Sequence, residues 1–142
     1  MKHHGCLCDF TPQRNRELHQ AYRRAAAASA YINLREVCTI ASNSPCSRFW
    51  VSEERATVVV SALLKGQYVL DSMSPQKREM FLEIFKRVQE QRKETPSMSV
   101  YDAVFLAVNS PAPKFYMTPN TVVEIISRIR RGYYKKRNYR HG

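Results

Sequence analysis

The sequence repeats itself. Laid over itself so that Ile40 falls on Leu106, the chain matches without a gap as far as Gly66 on Gly132. Seven of the 27 positions are identical: Ala41/Ala107, Asn43/Asn109, Ser44/Ser110, Pro45/Pro111, Phe49/Phe115, Ser61/Ser127 and Gly66/Gly132. Nine more are conservative, among them Arg48/Lys114, Trp50/Tyr116, Ser52/Thr118, Val59/Ile125 and Val60/Ile126. A chain so built must fold twice into the same local shape. Each step of the shared pattern has a physical sense. Asn tolerates the left-handed conformation that ends a helix, and the following Pro prevents its continuation. Cys46 to Val51 and Ala112 to Met117 then run extended. Ser52 and Thr118 cap a second helix, which closes at a glycine. The reading is all-α, with duplicated helix-elbow-helix units at about 32–66 and 98–132.

The rest of the chain also reads as helix. Thr11-Pro12, Ser74-Pro75, Thr95-Pro96 and Thr118-Pro119 pair a capping hydroxyl with a proline suited to the first turn. From Gln13 the spacing of Leu18, Ala21, Tyr22 and Ala25 predicts a helix that either kinks near Ser29 or persists to about Ala41. Lys77 to Lys93 places Met80, Phe81, Ile84, Phe85 and Val88 on one face, a long amphipathic helix bridging the two units. Strand signals are few, and Gln67 to Leu70 and Ser47 to Val51 could each be a short extended piece. The expected core comprises Leu34, Val37, Val59, Val60, Leu63, Phe81, Ile84, Phe85, Val104, Leu106, Ile125, Ile126 and Ile129. With 142 residues the chain is long enough for one core. It is expected to form one domain: an extension over 1–10, a helical body over 11–132 and a basic tail over 133–142.

Charge is the next constraint. Lys and Arg number 23 against 12 Asp and Glu, a formal net charge of +11, and such a surplus faces a polyanion or an acidic protein. It is unevenly spread. Arg128, Arg130, Arg131, Lys135, Lys136, Arg137 and Arg140 follow one another without an acid and are interleaved with Tyr133, Tyr134 and Tyr139. Cations of this density suit phosphate, and tyrosines can stack beside it; the plain alternative is a solvated tail. Arg14, Arg16, Arg23 and Arg24 form a second group on the first helix. In the elbows, Phe49 and Phe115 read most simply as plugs where helices cross. The functional alternative makes Arg48-Phe49-Trp50 and Lys114-Phe115-Tyr116 paired contacts to nucleic acid or a neighbouring subunit. The elbow is longer than the three or four residues of a helix-turn-helix, so base reading by that motif is not indicated.

Catalytic motifs are missing. There is no Gly-x-x-x-x-Gly-Lys, Gly-x-Ser-x-Gly or His-Glu-x-x-His. Glu53 and Glu54 suit the start of a helix, and Glu79, Glu83 and Glu90 alternate with cations as on a solvated face. No enzyme activity and no cofactor are expected. His3, His4, Cys6 and Cys8 crowd soft ligands together but lack the distant second pair of a structural zinc site, so no metal is assigned. The first residues lack the apolar stretch of a secretory signal, and Cys6, Cys8, Cys38 and Cys46 are expected as reduced thiols. No apolar run reaches the roughly 20 residues of a spanning helix, so no membrane partner is expected.

The segments Ser44 to Ala56, Pro75 to Phe81 and Pro111 to Tyr116 resemble small proteins encoded by tailed phages of the crAss-like group and their relatives in gut bacteria. The resemblance spans about 34–132 and carries no catalytic residue. It implies a non-enzymatic virion part: a multi-copy ring or adaptor at the portal–tail junction, or a capsid auxiliary protein. Its partners would be other copies of itself, other virion proteins and packaged DNA. The rival expectation is a phage-encoded DNA-binding or regulatory protein acting through the basic tail, and a third is a helical adaptor for an acidic protein.

Overall fold

The computed structural model describes residues 10–30 and 33–132, and these form six helices with no strand among them. They are α1 (Thr11–Ala28), α2 (Leu34–Ser42), α3 (Glu53–Leu64), α4 (Pro75–Glu94), α5 (Val100–Val108) and α6 (Pro119–Arg130). The all-α duplicated reading holds: with Ile40 laid on Leu106, α2 falls on α5 and α3 on α6. Both anticipated extended pieces are irregular. Only one antiparallel bridge forms among the described residues, between the equivalent Cys46 and Ala112, through reciprocal N–H to carbonyl bonds of 3.0 Å.

The first helix does not run on to Ala41. It stops at Ala28, and α2 starts afresh at the N-cap Asn33, whose side chain accepts from the Glu36 amide. Ser99 caps α5 in the same way, accepting from the Asp102 amide at 3.0 Å. Each cap is thus followed three residues later by an acid, a signature of a helix start. Ser52 and Thr118 cap α3 and α6 as expected, accepting from the amides of Arg55 and Thr121 at 3.1 and 3.2 Å. Gly66 and Gly132 close those helices at φ +78° and +77°, where a side chain would be strained.

One local expectation fails. Asn43 and Asn109 are not left-handed; their φ values are −96° and −92°. They terminate α2 and α5 with their side chains, donating through Nδ2 to the carbonyls of Thr39 and Phe105 four residues back. Ser44 and Ser110 donate to the Ile40 and Ala107 carbonyls beside them. Last-turn carbonyls that would otherwise go without donors are satisfied without any positive φ.

The chain divides into two compact units. Unit 1 is built on Pro45–Ala112, with Phe10, and holds α3, α4 and α5. Unit 2 is built on Thr11–Ser44 and 113–132, and holds α1, α2 and α6. In unit 1, α3 packs on α5 and both pack on α4; in unit 2, α6 packs on α2 and both pack on α1. Each unit therefore combines helices from both copies. α4, read above as the bridge, packs as the counterpart of α1.

That correspondence is written in the sequence at a slightly shorter offset, with Thr11 laid on Ser74. It pairs Thr11/Ser74, Pro12/Pro75, Gln13/Gln76, Arg14/Lys77, Leu18/Phe81, Ala21/Ile84, Tyr22/Phe85, Arg23/Lys86, Arg24/Arg87 and Ala25/Val88. The repeat is thus a three-helix segment covering nearly the whole described chain. Burial follows it closely. Leu18/Phe81, Ala21/Ile84, Ala25/Val88, Val37/Ala103, Cys38/Val104, Ala41/Ala107, Phe49/Phe115, Ala56/Val122, Val59/Ile125 and Val60/Ile126 are buried in both members. Leu34 and Leu106, expected inside, are exposed, and Leu63, Phe85 and Ile129 are half-buried. The short helices α2 and α5 seat one stripe, Val37/Cys38/Ala41/Ser42 and Ala103/Val104/Ala107/Val108, and Leu106 lies off it.

Candidate nucleic-acid interface

The elbows are clamps before they are anything else. Phe49 is fully buried in unit 1, and its amide donates to the Val108 carbonyl at 3.0 Å. Phe115 repeats this in unit 2, donating to the Ser42 carbonyl at 2.9 Å. Each phenylalanine thus binds the end of the short helix that belongs to the other copy. Arg48 is committed to its own elbow: Nε donates to Phe49 O at 2.9 Å and Nη2 to Val51 O at 2.7 Å. Its guanidinium also lies 5.2 Å from the Phe10 ring, and Trp50 stands against the same ring at 5.9 Å. In unit 2, Lys114 sits 5.7 Å from the Tyr116 ring, and Tyr116 adopts φ +58°. The paired elbow residues are held within their own units, and Arg48 offers little of itself to a partner.

The cations of unit 2 are placed differently. Arg16, Arg23 and Arg24 are exposed on α1, Arg128 and Arg130 on α6, and Arg131 at its C-cap. Helices α1 and α6 pack together, and Arg130 Nη1 reaches the Tyr22 hydroxyl at 3.5 Å. Arg128 stands 3.9 Å from Glu124 one turn back, with both side chains well exposed, an arrangement worth little in water. Arg14 is half-buried and donates to Asn15 Oδ1. Arg35, which sequence reasoning passed over, is exposed at the start of α2 and donates to Asn120 Oδ1 at 2.6 Å. Tyr133, Tyr134, Lys135, Lys136, Arg137, Tyr139 and Arg140 lie outside the described residues, as do His3, His4, Cys6 and Cys8.

Charge divides between the units as sharply as the helices do. The described residues of unit 2 carry nine cations: Arg14, Arg16, Arg23, Arg24, Arg35, Lys114, Arg128, Arg130 and Arg131. Against them stand three acids, Glu17, Glu36 and Glu124. Unit 1 also carries nine cations, but they are matched by eight acids: Glu53, Glu54, Asp71, Glu79, Glu83, Glu90, Glu94 and Asp102. The repeat makes this comparison position by position. Arg16 corresponds to Glu79, Arg35 to Tyr101, Arg128 to Ala62 and Arg130 to Leu64. Unit 1 adopts the same helices without those arginines, so the fold does not require them.

Among the described residues, two of the clefts lie in unit 1. One, about 330 Å³, runs between α4 and α5 and is lined by Arg87, Glu90, Gln91, Glu94, Leu106 and Ser110, with Ala103 and Ala107. Arg87 there is immobilised, donating to Glu83 at 2.8 Å, Ser110 Oγ at 3.1 Å and Pro111 O at 2.7 Å, with its guanidinium 4.9 Å from the Phe49 ring. The other, about 260 Å³, is bounded by Phe10, Trp50, Met80 and Phe81 with Arg55 and Lys77 at its edge. Neither lining contains a histidine or a cysteine. Cys38 is fully buried, and that burial pushes its thiol above the ordinary value, away from nucleophilic use. Among the described residues no three His, Cys, Asp or Glu side chains gather as metal ligands, and no helix is long and apolar enough to cross a membrane. Compared with known proteins, the chain matches no family model, no curated protein and no solved structure.

Proposed function

We propose that this is a non-enzymatic nucleic-acid-binding protein whose unit 2 grips the phosphate backbone. The observation that carries the reading is the segregation of charge between two units with the same fold. The two units share one scaffold and carry nine cations each, but unit 2 opposes them with three acids where unit 1 has eight. Arg16, Arg23 and Arg24 on α1, with Arg128, Arg130 and Arg131 on and beyond α6, supply cations on two packed helices. The chain then leads into Lys135, Lys136, Arg137 and Arg140. Such contacts displace counterions and bind without regard to sequence. The long elbows, clamped as they are, leave base reading to no helix-turn-helix.

The test is salt dependence. Anisotropy of a labelled duplex is titrated between about 50 and 200 mM salt with the full chain. Each phosphate contact contributes about 0.9 to the slope of log affinity against log salt. Replacing Arg128, Arg130 and Arg131 by Ala removes three contacts and should lower the slope by about 2.7. Replacing Lys65, Lys86 and Lys93 of unit 1 removes the same charge and should change it by less than about 1. No binding at low salt, or equal losses from the two triple variants, overturns the reading.

A second reading, a multi-copy virion protein of a tailed phage, draws on the apolar side chains exposed on unit 1. It predicts this chain at fixed stoichiometry in purified particles by mass spectrometry, and its absence there removes that reading.

A further inference from the structure

The smaller cleft of unit 1 joins two chemistries that the packing of the helices does not require. Its space of about 260 Å³ lies between the elbow and the first two turns of α3 and α4. Met80 and Phe81, both buried, form its floor, and the rings of Phe10 and Trp50, 5.9 Å apart, form a wall. Arg55 and Lys77 are exposed at its rim, and the lining contains no acid. Neither cation pairs with an acid among the described residues. Glu53, in the same turn as Arg55, is turned to Arg48 and Asn109, at 4.0 and 2.9 Å.

The two cations stand where their helices gain nothing from them. Arg55 and Lys77 are the third residues of α3 and α4, and a cation in a first turn opposes the helix dipole. The repeat shows that the scaffold does not ask for the pair. The unit 2 equivalents of Arg55 and Lys77 are Thr121 and Arg14, and that of Met80 is Glu17. The Thr121 hydroxyl bonds that of Thr118, Arg14 donates to Asn15 Oδ1, and Glu17 accepts from Gln13. Unit 2 thus has one engaged cation and an acid where unit 1 has two cations and a thioether.

We infer that this cleft binds a nucleotide, with the base ring against Phe10 and Trp50 and the phosphate at the Arg55 and Lys77 rim. Complementarity selects the occupant. Aromatic walls take a flat ring, because every base has a face to stack. Two rim cations without an acid take an anion joined to that ring. A purely apolar ligand would leave both cations nothing to bind, and a cationic one would be repelled. The volume sits just below the roughly 300 Å³ at which drug-sized pockets begin, so it admits a ring system and not a helix. The nucleotide is either free or an unpaired residue of a strand. The cleft lies within unit 1, so the inference stands apart from the phosphate grip proposed for unit 2.

Trp50, the only tryptophan of the chain, is the reporter. Thymidine monophosphate added to the full chain should quench its fluorescence with a dissociation constant on the order of 100 μM. Thymidine, which lacks the charge, and inorganic phosphate, which lacks the ring, should each compete at least about tenfold less well. Arg55→Thr/Lys77→Gln takes the residue of the equivalent α6 position at one site and relieves both helix dipoles, so its thermal stability should be kept. It should weaken thymidine monophosphate by about tenfold or more and leave thymidine unchanged. Arg16→Ala/Arg23→Ala in unit 2 should leave the quenching as it is. A short oligothymidine identifies the source. Quenching at strand concentrations more than about tenfold lower assigns an unpaired residue of a strand, and quenching no better than the monophosphate assigns a free nucleotide. No quenching by either at about 10 mM, a rim variant that binds as wild type, or hexanoate competing as well as the nucleotide overturns the inference. None of these outcomes depends on the salt slope of duplex binding, so failure here is distinct from failure of the unit 2 reading.

Discussion

Truncating the elbow phenylalanines offers the most direct test of the packing. Phe49 is fully enclosed in unit 1 and Phe115 nearly so in unit 2. Phe→Ala at such a site costs about 3–5 kcal/mol, the lost transfer energy plus the cavity left behind. Phe49 also loses the Arg87 guanidinium 4.9 Å from its ring, a contact worth about 0.5–1 kcal/mol at a half-buried cation. The hydrogen bonds of Arg87 to Ser110 and Pro111 do not involve the ring and survive. Against this, a unit of about 70 residues has a stability of roughly 4–10 kcal/mol. Phe49→Ala should therefore remove about half or more of the stability of unit 1. Trp50 is the only tryptophan in the chain and belongs to unit 1, so its fluorescence reports on that unit. In urea, with a slope of about 2 kcal/mol/M, the Trp50 midpoint should fall by roughly 2 M. Phe49→Leu fills most of the space and should cost less than about 1.5 kcal/mol. A Phe49→Ala loss below about 1 kcal/mol would refute the claim that the elbow phenylalanine fills the core of its unit.

Other expectations are smaller. Gly66→Ala and Gly132→Ala should each destabilise by about 1–2 kcal/mol, from backbone strain alone, because nothing lies within 4 Å of the added carbon; thermal melts should give similar shifts for both. Ser52→Ala removes the acceptor of the Arg55 amide and should cost about 1 kcal/mol, while Ser52→Asp, which keeps an acceptor, should cost less in the same melts. The Cys38 thiol has an ordinary value of 9.0, and burial raises it in the folded chain. The unfolded chain then loses this proton first as pH rises. The contribution to stability is complete below about pH 9 and is lost as pH climbs through the folded thiol's higher value. Cys38→Ala should flatten the alkaline fall in urea midpoint, and iodoacetamide should label Cys38 in wild type only after unfolding.

The elbows were legible because they are punctuated: Asn-Ser-Pro, a buried Phe, a capping hydroxyl and a terminal Gly each leave a local mark. The kinship of α1 with α4 was not, for two reasons. α4 is longer than α1, so the offset that lays Thr11 on Ser74 no longer lays Ile40 on Leu106. Its buried positions also exchange small for large, Ala21 for Ile84 and Ala25 for Val88, while outside Arg16 faces Glu79 in the alignment. Pairing was hidden for a deeper reason. A repeat says which segments are alike, but not that α2 would pack on α6 and α3 on α5, a choice made by contacts far apart in the chain. Leu106 misled for the same cause, since a strongly apolar helix does not announce which of its sides will be covered. For the interface, the arginines were visible as residues, but the excess of cations over acids in unit 2, nine against three, became visible only with the division of the chain.

The duplication also permits the sharpest test of whether the charge in unit 2 is functional. If arginine at the end of α6 answers to a partner and not to the fold, the equivalent end of α3 should accept it. Ala62 and Leu64 are the equivalents of Arg128 and Arg130; Ala62 is half-buried and Leu64 is 40% exposed. Ala62→Arg/Leu64→Arg adds two cations on a scaffold already known, from its own copy, to carry them. Its thermal stability should stay within about 0.5 kcal/mol of wild type, as for ordinary surface changes. Because the phosphate grip is proposed for unit 2, the salt slope of duplex binding should change by less than about 1, and a steepening near 1.8, the full value of two phosphate contacts, would count against confinement of the grip to unit 2. A stability loss above about 1.5 kcal/mol would mean that α3 and α6 are not interchangeable at these positions, and that Ala62 and Leu64 are held by packing. An unchanged fold with an unchanged slope would mean that charge on this scaffold reaches a polyanion only from unit 2, where α1 presents Arg16, Arg23 and Arg24 beside it.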